Sequence, residues 1–331
     1  MTKESTLAQI EEISRMAHKN ETDGKLRSLK ASDIPRPMET DDIKYLKQKE
    51  DWNHKMGKLE FIFYKAILIT LYIMYGMYRF CQFRYNRLKL SILTIINNPA
   101  STPQLIEQDV KHLKKLPKQL GAILEDKPSY TVGGGLKGLL NDGSEIVCWA
   151  VCADIKHVSL FDYNGLLTKN VQEFRKKVHS QLAKYYGPQN IPKFAVNVPH
   201  LQEKYNDIDD IDVTEEDEEK KPVIEISLLS ASDGRKTIVE LLKTLSDLKD
   251  NKEIQDSDFT MDLLNNQLLD LVGPEPDLIL CFGPRLDLTG YPPWHIRLAE
   301  MHWEADNNEV QYAVFIRGLR NYSNAKMNVG K

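Results

Sequence analysis

Cysteine is scarce in this chain: four residues among 331, at positions 81, 148, 152 and 281. Without regular spacing in so long a chain, they exclude a disulfide framework and fit a reducing compartment. Cys148 and Cys152 stand four apart on a predicted helix, but two thiols with no His pair at matching spacing do not complete a tetrahedral zinc site. They read as small buried hydrophobes. An excess of positive charge is also lacking, with 44 Lys and Arg against 48 Asp and Glu and a net charge of −4. Nine of the acids crowd into residues 207–219, which hold no Lys or Arg; setting them aside leaves +5 for everything else. A mildly basic body of that kind falls far short of the basic stripe of a nucleic-acid binder, so no nucleic-acid partner is expected.

Catalytic signatures are missing too. No Gly-x-Ser-x-Gly elbow occurs, and Gly143-Ser144-Glu145 does not replace one. Gly133-Gly134-Gly135 followed by Lys137-Gly138 lacks the Lys-Ser/Thr step of a phosphate loop and reads as a flexible turn entering a helix. His157, His179 and His200 are isolated from one another. By motif alone, no self-sufficient catalytic centre and no metal site are visible.

What is present begins with a polar region, residues 1–58, whose charges nearly balance and whose apolar residues keep no period. It reads as mostly disordered, and it lacks the apolar core and cleavage site of a signal peptide. Residues 59–100 change character. The stretch FIFYKAILITLYIMYGMY, residues 61–78, carries one charge, Lys65, and as a helix would span about 27 Å, slightly less than a hydrocarbon core of about 30 Å. Lys65 lies one turn inside and can snorkel outward, while Tyr64, Tyr72, Tyr75 and Tyr78 suit headgroup boundaries. A buried core helix is the competing reading, but the polar stretch before it and the basic, aromatic flank after it favour a short single membrane span. Orientation is not settled by charge, because five Lys precede the stretch and Arg79, Arg84, Arg87 and Lys89 follow it.

From Leu113 the pattern becomes one of short apolar runs separated by helix-length segments. Strands are predicted at 120–124, 157–161, 194–198, 223–229 and 277–282, and helices at 136–154, 171–185, 234–249, 257–271 and 309–324. That alternation implies an α/β fold: a single domain, residues 113–331, with a mostly parallel central sheet and helices on both faces. The acidic stretch 205–222 reads as a solvated surface insertion.

Three segments, in order, carry a resemblance. They are GPEPDLILCFGP at 273–284, LTGYPPWHIRLAE at 288–300, and the C-terminal FIRGLR at 315–320 running on to Asn328-Val329-Gly330-Lys331. Together they resemble the cis-prenyltransferase superfamily of the undecaprenyl diphosphate synthase type. The Pro-Pro-Trp-His-Ile-Arg-Leu form and the terminal Gly-Lys resemble the Nogo-B receptor family, in its fungal form: the membrane-anchored accessory subunits of dehydrodolichyl diphosphate synthase. Catalytic members of the superfamily end their first strand in Asp-Gly-Asn-x-Arg-Trp, where the Asp works with magnesium. Here strand 120–124 runs into Glu125-Asp126-Lys127-Pro128, without the Asn, Arg and Trp. Two further Arg of catalytic members correspond to Cys281 and Asp287. A diphosphate needs cations and oriented donors, so this chain is expected to hold no catalytic residues of its own.

What the resemblance implies is a required but non-catalytic subunit of a heterodimeric cis-prenyltransferase in the endoplasmic reticulum membrane, single-pass, with its C-terminal domain cytosolic. The complex would extend farnesyl diphosphate with isopentenyl diphosphate to polyprenyl diphosphate for dolichol synthesis and protein glycosylation, with magnesium held by the catalytic partner. The tail, Asn328, Val329 and Gly330, would reach the partner's isopentenyl diphosphate site. Trp294, His295, Arg297 and Glu300 are the candidate dimer-interface residues. The alternative is a membrane-anchored scaffold or receptor-like binding protein that uses a decayed prenyltransferase fold and contacts membrane lipid and a partner without sharing an active site.

Overall fold

Along each central strand, alternate side chains enter different apolar clusters. Leu120, Ala122 and Leu124 belong to one cluster and Ile123 to the other; Leu278, Leu280 and Phe282 to the first, Ile279 and Cys281 to the second. A strand buried on both faces has to read as a continuous apolar run, and these runs gave the strand predictions. The computed structural model describes residues 58–96, 102–206, 222–251 and 260–325. Nearly all of the region 1–58, most of the acidic insertion 205–222, and tail residues Asn328, Val329 and Gly330 lie outside these residues.

The chain divides into two units, Met1–Tyr78 and Arg79–Lys331. In the first, the described residues are the start of helix α1, Lys58–Ile96. Here the side chains from Phe61 to Tyr78 are exposed throughout, including Phe61, Ile62, Phe63, Leu71, Ile73, Tyr75 and Met77. Among the described residues Glu60–Ile96 is the one helix long and apolar enough to cross a membrane, with a mean hydropathy of 1.5 over its most apolar window.

The second unit is a seven-stranded sheet. Its strands are β1 (Gln119–Leu124), β2 (His157–Asp162), β3 (Phe194–Val198), β4 (Glu203–Tyr205), β5 (Ile224–Leu229), β6 (Leu278–Phe282) and β7 (Glu300–Trp303). Their order is β4-β3-β5-β2-β1-β6-β7, and every pairing is parallel except β3 with β4. Helices α2 (Pro103–Lys111), α3 (Gly135–Cys152), the short α4 (Leu166–Lys169), α5 (Val171–Tyr186), α6 (Arg235–Asp250), α7 (Met261–Val272) and α8 (Tyr312–Asn324) complete the unit. The larger cluster packs Ile106 and Val110 of α2, Ile146 and Trp149 of α3, Phe174 and Val178 of α5, and Phe315 and Leu319 of α8 against one sheet face. Val272 of α7 and Tyr291 cover the other face, so helices lie on both.

All five predicted strands and five predicted helices are present, with boundaries moved by a few residues. Helices α2 and α4 and two strands were absent from the sequence reading. β4 and β7 are sheet-edge strands of three and four residues whose side chains are mostly not buried, so neither carries an apolar run. The core also extends upstream of Leu113, to Leu90, Ile106 and Val110.

Candidate functional site

The chain order around β1 sets the position of the main cleft. β2 pairs with one side of β1 and β6 with the other, so the sheet changes direction there. Crossovers leaving to opposite sides open a crevice at the carboxyl ends of the strands, where ligands of open α/β sheets bind. A cleft of about 620 Å³ lies at that point. Ile123, Leu124, Phe161, Cys281 and Phe282 form apolar walls, and the loops after β1, β2 and β6 supply Glu125, Asp126, Asn164, Arg285, Asp287 and Thr289.

The polar groups of this cleft do not suit a diphosphate. Three carboxylates face one guanidinium, a formal charge of −2, and among the described residues none of the three acids pairs with a Lys or Arg. Asp126 accepts a hydrogen bond from the Asn164 side-chain amide at 2.9 Å. Asp287 accepts one from the Thr289 N–H at 2.8 Å, and bonds from the Thr289 hydroxyl and N–H hold its carboxyl below the usual range, fully charged at neutral pH. Cys281 occupies the place where the resemblance puts an Arg, and its side chain is buried. Burial first, then repulsion from Asp287, pushes its thiol up to about 12, so it offers neither charge nor a reactive thiolate. Asp162, at the end of β2, accepts from the N–H groups of Leu166 (2.5 Å) and Leu167 (3.3 Å) and caps α4 rather than facing the cleft.

Metal binding is a separate question. Among the described residues no three His, Cys, Asp or Glu side chains are grouped so as to hold an ion.

The residues expected at an interface form a second cluster. Trp294 lies in a 3₁₀ turn, Pro293–Ile296, and its indole N–H donates to Asn265 Oδ1 of α7 at 2.9 Å. Arg297 donates to the same oxygen and to Glu275 Oε1, each at 2.8 Å, and its guanidinium lies 4.5 Å from the Trp294 ring centre. Trp294 and Arg297 therefore form one preorganised, partly exposed pair. His295 departs from the expectation: its ring is buried, with Nε2 2.9 Å from the Gly273 carbonyl at the end of α7. Burial holds its pKa below the usual His value, so the neutral ring donates inward and is not surface available to a partner. Glu300 opens edge strand β7, where its N–H donates to the Asp277 carbonyl at 2.9 Å.

Sequence reasoning passed over one group. Glu304 and Asp306, just after β7, read as ordinary surface charges, yet both are buried. Partners of both come from α1, more than 200 positions away, and Arg317 of α8 adds a further one for Glu304; no local pattern signals the α1 partners.

No family model matches the chain. It is 56% identical over 295 residues to the dehydrodolichyl diphosphate synthase complex subunit NUS1 of Saccharomyces cerevisiae, covering 86% of this chain and 78% of that protein. The subunit nus1 of Schizosaccharomyces pombe is 31% identical, covering 72% of this chain and 86% of its own length, and human NUS1 is 27% identical over 67% of this chain and 70% of its own. Among solved structures, lavandulyl diphosphate synthase from Lavandula x intermedia, in complex with dimethylallyl diphosphate, aligns with a TM-score of 0.47 at 14% identity. That alignment covers 65% of this chain and 99% of the other. On the extent and identity of the yeast match, the chain belongs to the NUS1 family of dehydrodolichyl diphosphate synthase complex subunits.

Proposed function

We propose that this chain is the required, non-catalytic subunit of a dehydrodolichyl diphosphate synthase, anchored by α1 in the endoplasmic reticulum membrane with its α/β unit in the cytosol. The complex extends farnesyl diphosphate with isopentenyl diphosphate to polyprenyl diphosphate, the precursor of dolichol for protein glycosylation. The observation that carries the non-catalytic reading is the cleft: three unpaired carboxylates, a neutral buried thiol at Cys281 and a single Arg. A substrate bearing about three negative charges meets repulsion there instead of compensating cations.

In this reading magnesium and the cationic residues belong to the catalytic partner. This chain supplies the membrane anchor, the interface around Trp294 and Arg297, and the tail. Gly330 would let backbone N–H groups approach a phosphate closely, and Asn328 would add an amide donor. Anchoring suits the product, since a chain of many isoprene units partitions into the bilayer.

The test is transfer from labelled isopentenyl diphosphate by this chain alone, a catalytic partner alone, the pair, and the pair lacking residues 328–331. We expect turnover by the intact pair only. Full activity without the tail would sink the shared site and leave a scaffold, and turnover by this chain alone would overturn the non-catalytic reading.

A further inference from the structure

Two buried carboxylates outside the cleft have partners whose arrangement goes beyond ordinary packing. Glu304 and Asp306 follow edge strand β7, and 8% and 6% of each residue is exposed. Charged groups so far from water need compensation from elsewhere in the fold. Most of it comes from the part of α1 that follows the apolar stretch. Arg79 places Nη2 2.8 Å from Asp306 Oδ1 and Nη1 3.4 Å from Oδ2, and the Asn86 amide donates to Oδ2 at 2.8 Å. Lys89 Nζ lies 3.2 Å from Glu304 Oε2, while Arg317 of α8 approaches the other oxygen at 2.8 Å. Farther along, Leu90 is buried in the main core and the Thr94 hydroxyl bonds the Gln311 side chain at 2.9 Å.

Positions 79, 86, 90 and 94 recur at intervals of seven and four, which places them on one stripe of the helix. The opposite stripe, with Tyr85, Leu88, Ile92 and Ile95, is exposed. Residues 79–96 are thus seated along their whole length. The seat itself has a constrained shape. Asp306 adopts a left-handed conformation, φ 59°, unusual for a residue with a Cβ, and its N–H donates to the Pro284 carbonyl at 3.1 Å. Pro284 lines the cleft. One residue therefore holds Arg79 through its side chain and the cleft rim through its backbone.

We propose that the turn holding Glu304 and Asp306 is a socket that makes residues 79–96 part of the folded unit rather than a free tether, and that it couples the seating of this helix to the rim of the cleft. Glu304 and Asp306 are positioning residues in this account, with no contact to substrate. The consequence for prenyl transfer rests on the proposed function. The socket itself does not.

The experiment uses the full chain in lipid nanodiscs, with hydrogen–deuterium exchange as the readout. In the variant Arg79→Gln/Lys89→Gln, we expect amide exchange across residues 79–96 to rise at least tenfold, with a smaller rise at 283–287 and no change in β1 and β2. Lys236→Gln, which breaks a pair with Glu240 on the exposed face of α6, is the control and changes neither segment. If the double variant does not fold, the single change Lys89→Gln reads the same segments. Unchanged exchange at 79–96 would overturn the socket, and a rise there without one at 283–287 would overturn the coupling. The same variant, paired with the catalytic subunit, should lose prenyl transfer several-fold in vesicles but not in detergent; equal activity in both would overturn the consequence for product formation. An inactive wild-type pair would count against the proposed function and leave the exchange result standing.

Discussion

Carboxylates follow strands of this sheet in two places, and they meet opposite fates. After β1 and β6, Glu125, Asp126 and Asp287 remain in an open cleft, with amide and hydroxyl neighbours but no cation pair among the described residues. After β7, Glu304 and Asp306 are buried, and each is met by a Lys or Arg side chain. A carboxylate in water needs no partner; one removed from water needs a cation, as here, or N–H donors, as at Asp162. The acids of the cleft can therefore change without harm to the fold, while those of the socket are bound up with it. That difference separates acids the fold can lose from acids it has to keep.

The sharpest way to break this comparison is to remove a socket acid. Asp306→Ala strands Arg79 and Asn86, and because Arg79 is itself half exposed we expect a loss of about 2 kcal/mol, below the cost of opening a fully buried pair. Urea unfolding would measure it, and a loss near zero would place the socket among ordinary surface pairs. Next is Gly318→Ala, which tests how α8 brings Arg317 to Glu304. A Cβ at Gly318 would lie 2.3 Å from Leu280 Cδ2, so either Leu280 repacks within the core or helix and sheet separate, at about 1–3 kcal/mol in the same measurement.

His302 lies beside the socket, with Nε2 3.7 Å from Glu304. Burial lowers its pKa most strongly; Glu304 pulls it up, and Arg317 and Lys89 pull it down. The folded state therefore disfavours the proton, and stability should fall as pH drops from about 6.5 toward the lower folded-state value. His295, also lowered by burial, acts in the same direction. The double variant His302→Gln/His295→Gln should flatten melting temperature against pH between 7 and 5.5; an unchanged slope would show that neither ring is the source.

The smallest expected effects are in the cleft. Glu125→Gln and Asp126→Asn should each shift stability by less than about 0.5 kcal/mol, as at other exposed positions. Asp287→Arg should make inorganic diphosphate bind measurably by calorimetry where the natural chain does not, because it brings the lining from −2 to neutral. Absence of any gain would mean that charge alone does not exclude the ligand.

The central strand β6 was legible because burial on both faces forces an apolar run, LILCF, while IEISLL of β5 shows alternation with Glu225 and Ser227 half-buried. Edge strands β4 and β7 carry no such demand: EKY and EMHW pair through backbone groups alone, which any sequence can supply. In the site, the charge of Cys281 and Asp287, where the resemblance puts Arg, could be read directly, since charge is a property of the residue. That His295 faces inward could not, because its neighbour, the Gly273 carbonyl, is set by how α7 meets the turn before β7.

The amino-acid sequence by itself determined the parallel core and the apolar stretch at residues 61–78, because each depends on local composition and periodicity. Only the tertiary structure decided that Arg79 serves Asp306, or that Lys89 and Arg317 share Glu304. A charge records its sign in the sequence, but whether it is exposed or buried, and against which distant partner, is settled when the chain packs.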